Sequence, residues 1–149
     1  MRSEIGHKEL SGKVIAAAIQ VHQTLGPGFL ESIYESALCI ELDLQHIHYE
    51  RQKLVPLQYR AIPIGEHRLD LLVERVLVLE LKAVKELKDI FFAVTRSYMK
   101  AVGVNDGLLL NFASMPLTVK RVGREPGAIT KNEILGMSRT DKIRNAAQF

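Results

Sequence analysis

The chain has few of the residues that stabilise small secreted or metal-clustered domains. It contains one cysteine, no tryptophan and 6% aromatic residues among 149. Because a lone thiol, Cys39, forms neither an intramolecular disulfide nor a cysteine zinc cluster, the sequence predicts a reducing, cytoplasmic setting. Apolar runs such as 76–81 are far shorter than the ~18 residues of a membrane span, and residues 1–13 lack the apolar stretch of a secretory signal. No contact with a membrane is therefore expected.

The chain also lacks a basic stripe along most of its length. Residues 1–119 carry 13 Lys and Arg against 14 Asp and Glu, whereas residues 120–149 carry 7 against 3. The net charge of +3 therefore comes from the C-terminal end. We interpret residues 1–122 as one folded domain and 123–149 as a basic tail, which is either a partly disordered, solvated end or a segment that attracts phosphates.

Hydrophobic periodicity predicts the element order ααβββαββ. Apolar residues at helical spacing predict helices over residues 10–25, 29–45 and 85–102. Alternating or continuous apolar runs predict strands over residues 53–59, 67–73, 76–84, 108–112 and 117–122. Ser11 is the expected N-cap of the first helix, Gly26 and Gly103 are expected helix ends, and residues 60–65 an expected turn. This order is typical of an α/β domain with helices on both sides of a mixed central sheet.

The segment 68–82, RLDLLVERVLVLELK, has a pattern that could support metal chemistry. A hairpin centred on Arg75 would place Asp70 opposite Glu80, where two like charges are destabilising unless a cation neutralises them. Lys82 would share the face of Glu80, where it could activate a water or stabilise charge on a phosphate. The alternative is the solvated face of an ordinary half-exposed strand, although the apolar neighbours of Glu80 favour burial.

A second motif links this segment to a known family. Gly28, Glu31 and Tyr34 form the pattern GxxExxY. The segment HQTLGP stands directly before this pattern, and three further segments follow it along the chain: RLD, ELK and GLLLNF. The sequence resembles GxxExxY proteins, members of the PD-(D/E)XK nuclease superfamily. The resemblance implies a restriction-endonuclease-like core and a nuclease that uses Mg²⁺ or Mn²⁺ to hydrolyse phosphodiester bonds in nucleic acid, with DNA or RNA left open. It also implies site roles for four residues: metal ligands at Glu31, Asp70 and Glu80, and a catalytic lysine at Lys82.

Four other residues are candidates for substrate or supporting contacts. Tyr34 either bonds a ligating carboxylate or a phosphate, or is a core aromatic. Tyr98 matches the tyrosine that the family carries on the helix after the lysine, and Arg96 beside it either contacts a phosphate or is solvated. His22 lies where the end of a helix favours an imidazolium, which suits a structural role better than ligation. Glu31 could likewise serve only its helix N-terminus.

The chain departs from the family on this third helix. Phe91 stands where the family usually has a histidine, and Val94 stands where it usually has a glutamine. This loss of polar residues leaves an alternative open, in which the domain is a catalytically weak or inactive nuclease fold. Such a module would bind nucleic acid or a protein partner, including a second copy of the chain through this helix.

Overall fold

The structure of the chain, a computed structural model, describes residues 6–123. Three helices and five strands follow the predicted order in this part of the chain. The helices are α1 (His7–Leu25), α2 (Glu31–Leu44) and α3 (Asp89–Val102). The strands are β1 (Tyr49–Tyr59), β2 (Ile62–Val73), β3 (Leu77–Lys82), β4 (Asp106–Asn111) and β5 (Thr118–Gly123). The expectation of a basic tail over 123–149 lies, beyond Gly123, outside the described residues.

The five strands form one mixed sheet in the order β1-β2-β3-β4-β5. β3 and β4 pair in parallel, with α3 as the crossover between them, and the other neighbours pair antiparallel. Leu79 and Leu108 belong to a core shared with α1 and α2, whereas Val78 and Leu109 belong to a core shared with α3. The predicted α/β architecture, a mixed sheet flanked by helices, is therefore confirmed. No helix among the described residues combines the length and apolarity that crossing a membrane requires.

The predicted helix ends are more accurate than the predicted starts. α1 begins at His7 with Gly6 as its N-cap, and Ser11 lies within the helix, where its hydroxyl donates to the Lys8 carbonyl at 3.1 Å. The prediction of Ser11 as the N-cap was wrong. The helix begins one turn earlier with exposed polar residues, and hydrophobic periodicity does not detect them because they add nothing to the apolar stripe. Gly26 and Gly103 do end their helices, both with positive φ (71° and 73°).

The hairpin between β1 and β2 is longer than its sequence indicates. Its turn consists of Arg60 and Ala61, both with positive φ, so Pro63 and Gly65 lie inside β2 rather than in the predicted turn. β2 pairs with β3 only over Leu71–Val73, so at Pro63 the neighbouring strand is β1 alone. The N–H that proline lacks is therefore not needed for a hydrogen bond to a second strand. Residues 53–69 therefore extend past β3 as a two-stranded segment, the β ribbon.

Candidate active site

Asp70 and Glu80 face each other across the β2–β3 hairpin. The pairs Val73–Leu77 and Leu71–Leu79 have residue numbers that sum to 150, which confirms the predicted register. At the next level the strands are no longer paired through their backbones. Instead, the Asp70 N–H donates to Glu80 Oε1 at 3.0 Å, and the Leu81 N–H donates to Asp70 Oδ2 at 2.9 Å. Carboxylates thus take the place of main-chain acceptors where the two strands separate.

The same level of the sheet is also irregular on the β1 side. Arg51 pairs with Leu71 and Lys53 with Leu69, which puts Gln52 opposite Asp70, but Gln52 has a positive φ of 51° and makes no ladder pair. Its side-chain amide donates to Asp70 Oδ1 at 3.3 Å. Both oxygens of Asp70 are therefore held by N–H donors, which fixes the direction of the carboxylate.

Gln52 connects Asp70 to a further buried acid on α2. Its amide also donates to Glu35 Oε1 at 2.5 Å, and the Arg51 guanidinium donates to Glu35 Oε2 at 2.8 Å. Glu35 is 5% exposed. A carboxylate buried to this extent needs hydrogen-bond or ion-pair partners, which Gln52 and Arg51 supply. Sequence reasoning missed both Glu35 and Gln52. Glu35 could have been noticed as an acid among the apolar core positions of α2, whereas the role of Gln52 depends on a register that its own sequence does not reveal.

The negative charges of Asp70 and Glu80 are unfavourable beside each other when no cation is bound. Burial raises the pKa of Glu80 to about 8, and the neighbouring charge of Asp70 contributes in the same direction. Burial also raises the pKa of Asp70, with Glu35 adding to the effect, while the Leu81 N–H, Gln52 and Lys82 oppose it. The site therefore favours a bound positive charge over two free carboxylates.

Lys82 ends β3 two residues after Glu80, on the same face of the strand. Its ammonium lies 4.9 Å from the centre of the Phe91 ring, in a cation–π contact. It is close enough to both carboxylates to lower the pKa values of Asp70 and Glu80. Phe91, the residue that departs from the family pattern, thus packs against the lysine and helps to hold it beside the acids.

Tyr98 approaches the acidic pair from α3. Burial raises the pKa of its hydroxyl, and the negative charges of Glu80 and Asp70 raise it further. Its ring lies edge-on to His67 of β2, with 4.9 Å between ring centres, and His67 Nδ1 is buried without a hydrogen-bond partner among the described residues. Tyr98 is therefore near the carboxylates, whereas Val94 of the same helix is a half-buried aliphatic residue.

Glu31 lies at the edge of the site rather than within the acidic pair. It is exposed at the start of α2, and its Oε1 accepts the Ala83 N–H at 3.3 Å, one residue beyond Lys82. Within residues 6–123, no three His, Cys, Asp or Glu side chains are arranged as a ready metal cluster. The predicted convergence of three acids therefore reduces to two adjacent carboxylates, Asp70 and Glu80, with Glu31 at the rim.

Tyr34 is part of the core, not of the site. It is fully buried and stacked on Phe112 at 4.5 Å between ring centres. Its hydroxyl donates to the Gly26 carbonyl at 2.6 Å and accepts the Phe29 N–H at 3.1 Å. The side chain thus holds the turn between α1 and α2 in place. Of the two roles that the sequence left open for Tyr34, this is the structural one.

His22 and Arg96 are not brought into contact with the acids. His22 is buried near Phe112, with 6.1 Å between ring centres, and its Nε2 has no hydrogen-bond partner in the described part of the chain. Arg96 is half-buried on α3 and makes no hydrogen bond or ion pair with residues 6–123. Of the four supporting candidates, only Tyr98 lies within electrostatic reach of Asp70 and Glu80.

The donor set suits a hard divalent cation. Mg²⁺ commonly binds one or two protein carboxylates and keeps several waters, so two carboxylates suffice where a larger protein cluster is missing. Asp70 and Glu80 supply these oxygens, and their raised pKa values reflect negative charge that a cation would neutralise. The residues present therefore fit the divalent metal that the sequence resemblance implies.

Comparison with known proteins agrees with this geometry. No curated protein and no solved structure matches the chain. The family model of the PD-(D/E)XK nuclease superfamily, however, matches residues 8–122. These include all but the first residue of α1, the whole of α2, the β2–β3 hairpin and α3. This match covers about three quarters of the sequence. The chain therefore belongs to the PD-(D/E)XK nuclease superfamily.

Proposed function

We propose that this protein is a divalent-metal-dependent nuclease that hydrolyses phosphodiester bonds in nucleic acid. The observation that carries the proposal is the buried carboxylate of Glu80 beside the half-buried carboxylate of Asp70, with the ammonium of Lys82 on the same strand face as Glu80. The GxxExxY pattern at Gly28, Glu31 and Tyr34 supports a place in that family of the superfamily.

Asp70 and Glu80 would hold Mg²⁺ or Mn²⁺, with Glu31 as a further ligand candidate at the rim. When bound, the ion supplies Lewis-acid activation of water and stabilisation of charge on the phosphate. Gln52 and the Leu81 N–H keep the Asp70 carboxylate in one orientation, which reduces the reorganisation needed when the ligand set is completed. Glu35 anchors Gln52 in turn and thereby supports this orientation from α2.

Lys82 is proposed to orient the attacking water or to stabilise negative charge on the phosphate. Its contact with the Phe91 ring limits the positions of a long, flexible side chain and keeps the ammonium beside the acids. This contact favours the catalytic proposal over the inactive alternative, because the aromatic residue at the histidine position supports the lysine rather than filling the site. Tyr98 is proposed to contact substrate or a bound water near the carboxylates.

The β ribbon is the element of the described chain best suited to contact the substrate. It extends beyond β3 from the level of Asp70, and it carries Arg60 at its turn and Arg68 near its base, both exposed. Two-stranded ribbons fit the grooves of duplex nucleic acid, and arginines bind backbone phosphates. We therefore propose that nucleic acid lies along the ribbon when a phosphodiester reaches the carboxylates.

Cleavage of labelled DNA and RNA oligonucleotides tests the proposal, with Mg²⁺ or Mn²⁺ and with EDTA as separate conditions. Glu80→Gln and Lys82→Met are each expected to reduce the cleavage rate by at least about 100-fold, because each removes a charge from the reacting site. Glu9→Gln, at an exposed position of α1 and away from the β ribbon, is the matched control and should cleave at the wild-type rate.

Metal binding is measured on the same variants by calorimetric titration with Mn²⁺. Glu80→Gln should weaken Mn²⁺ binding by at least about tenfold, whereas Glu9→Gln should leave it unchanged. Equal Mn²⁺ binding and equal cleavage by wild type and Glu80→Gln would refute the site. Intact Mn²⁺ binding without cleavage of any DNA or RNA would retain the metal site and reject the nuclease activity.

A further inference from the structure

The outer face of α2 and its N-cap residue carry an exposed apolar seam, formed by Leu30, Ile33, Ile40 and Leu44, with the partly buried Ala37 at its centre. These residues recur every three or four positions, the spacing that places side chains in one line along a helix. Leu30 is 75% exposed, Ile33 45%, Ile40 60% and Leu44 70%, while the opposite side of the helix packs in the core. A seam of this spacing is typical of helices that pack against a second helix.

We propose that the α2 seam is the contact between two copies of this chain, packed antiparallel about a twofold axis at Ala37. Read in either direction, the seam has the order Leu, Ile, Ala, Ile, Leu. A twofold axis brings the same patch of each copy together, so the patch must be complementary to itself, and this order sets large apolar side chains against large ones and Ala37 against Ala37. The small Ala37 at the centre lets the two helices approach closely, and larger side chains pack on both sides of it.

The area of the seam is compatible with a dimer of modest size. The four large side chains together expose on the order of 400 Å² per copy, in the range of the largest apolar patches that serve binding. A standard interface buries about 800 Å² per partner. The seam would form the apolar centre of such an interface, and the flanking Phe29, Ser36 and Asp43, all exposed, would form its rim.

The distribution of charge on α2 favours the antiparallel arrangement. The helix contains four acids and no Lys or Arg, but Glu31 and Glu35 turn toward Ala83 and Arg51 of the same chain. The remaining acids, Glu41 and Asp43, lie in its last turns. In the antiparallel pair they approach the N-terminal half of α2 of the second copy, where a helix dipole favours negative charge and where the acid at that level, Glu31, turns toward Ala83 of its own chain. A parallel pair would instead oppose acid to acid.

This inference does not depend on the proposed nuclease activity, and sedimentation of the full chain tests it. At tens of micromolar, the wild-type protein should sediment as a dimer and remain one in about 1 M NaCl, because the contact is apolar. Ile40→Glu should weaken the dimer at least about 100-fold, since it buries two like charges near the axis. Ile62→Glu is the matched control, because Ile62 is 65% exposed but lies on the β ribbon.

A cysteine placed on the axis distinguishes this arrangement from other dimers. In a Cys39→Ala background, Ala37→Cys should form an intermolecular disulfide on mild oxidation, because a twofold axis brings the two Cβ atoms within bonding range. Ala16→Cys, exposed on α1, should not cross-link at a comparable rate. A monomeric wild-type protein would overturn the proposal. So would a dimer that Ile62→Glu dissociates and Ile40→Glu leaves intact.

Discussion

At the residue scale, the site depends on the cost of burying Glu80. The side chain is 4% exposed, and its nearest charged neighbour in the hairpin is another acid, Asp70. Such a pair is retained only where a cation or a proton offsets the repulsion. Ionised Glu80 therefore weakens the metal-free fold, and a bound cation would offset that cost.

This cost predicts a pH-dependent gain in stability for Glu80→Gln. The folded-state pKa of about 8 lies above the ordinary value of 4.5, so the contribution of Glu80 to stability is complete below about pH 4.5 and is lost as pH rises through 8. In EDTA, we expect Glu80→Gln to stay within about 1 kcal/mol of wild type near pH 5 and to exceed it by about 2–4 kcal/mol in free energy of unfolding at pH 8.

Urea unfolding at pH 5, 6.5 and 8 measures this difference. The amide retains an oxygen that can accept the Asp70 N–H, so the variant keeps the hydrogen bond and loses only the ionisable group. Glu66→Gln, at an exposed position, should show no such trend. A difference between Glu80→Gln and wild type that is constant across these pH values would contradict the burial of an ionisable Glu80.

At the element scale, close packing of α3 on β4 positions the side of the site that carries Phe91 and Tyr98. A Cβ added at Gly107 of β4 would lie 2.8 Å from Met99 Sδ and 3.4 Å from Thr95 Cγ2. Both contacts belong to buried residues of α3, so the helix has little room to move outward. Glycine at this position is therefore a packing requirement, although its φ is not in the left-handed region.

Two glycine substitutions with opposite signs test this packing. Gly107→Ala should lower the free energy of unfolding by about 1–3 kcal/mol, because it overpacks the contact with Met99. Gly12→Ala, in α1 with no atom near the added Cβ, should raise it by about 0.5–1 kcal/mol, because alanine is the better helix former. Chemical denaturation of both variants provides the comparison, and a neutral Gly107→Ala would show that α3 is loosely seated.

At the scale of the whole molecule, charge is divided between its parts. α2 carries only acids, whereas the β ribbon carries Lys53, Arg60 and Arg68 against Glu66 alone. Lys53 already bonds Glu50 at 2.5 Å, which leaves the two exposed arginines as the cations of the ribbon that have no ion pair within residues 6–123. A polyanionic substrate would therefore approach along the ribbon and away from α2, the face that the dimer would cover.

The ribbon arginines should contribute to the salt dependence of nucleic-acid binding. Arg60→Gln with Arg68→Gln is expected to weaken oligonucleotide binding at low salt by at least about tenfold and to reduce the salt slope by about 2, one per lost phosphate contact. Arg75→Gln, in the turn at the other end of β2, is the control. Fluorescence anisotropy with catalytically impaired Glu80→Gln protein avoids cleavage, and an unchanged slope would exclude the ribbon as the binding element.

The sequence by itself determined the order of the elements, the faces of the helices and the opposition of Asp70 and Glu80. These features depend on local periodicity and on a tight hairpin, whose register follows from counting residues away from its turn. The motif around Glu31 and Tyr34 was likewise readable, because it lies in one continuous segment. Local patterns therefore sufficed to identify the superfamily and the acidic pair.

Only the tertiary structure decided which other side chains reach that pair. Gln52 and Glu35 come from β1 and α2, and their meeting with Asp70 depends on how a second hairpin and a helix pack together. The same packing directs Tyr34 to the turn between the helices and leaves Glu31 at the rim. Contacts between distant segments are set by the total balance of burial and hydrogen bonding, which no short stretch of sequence contains.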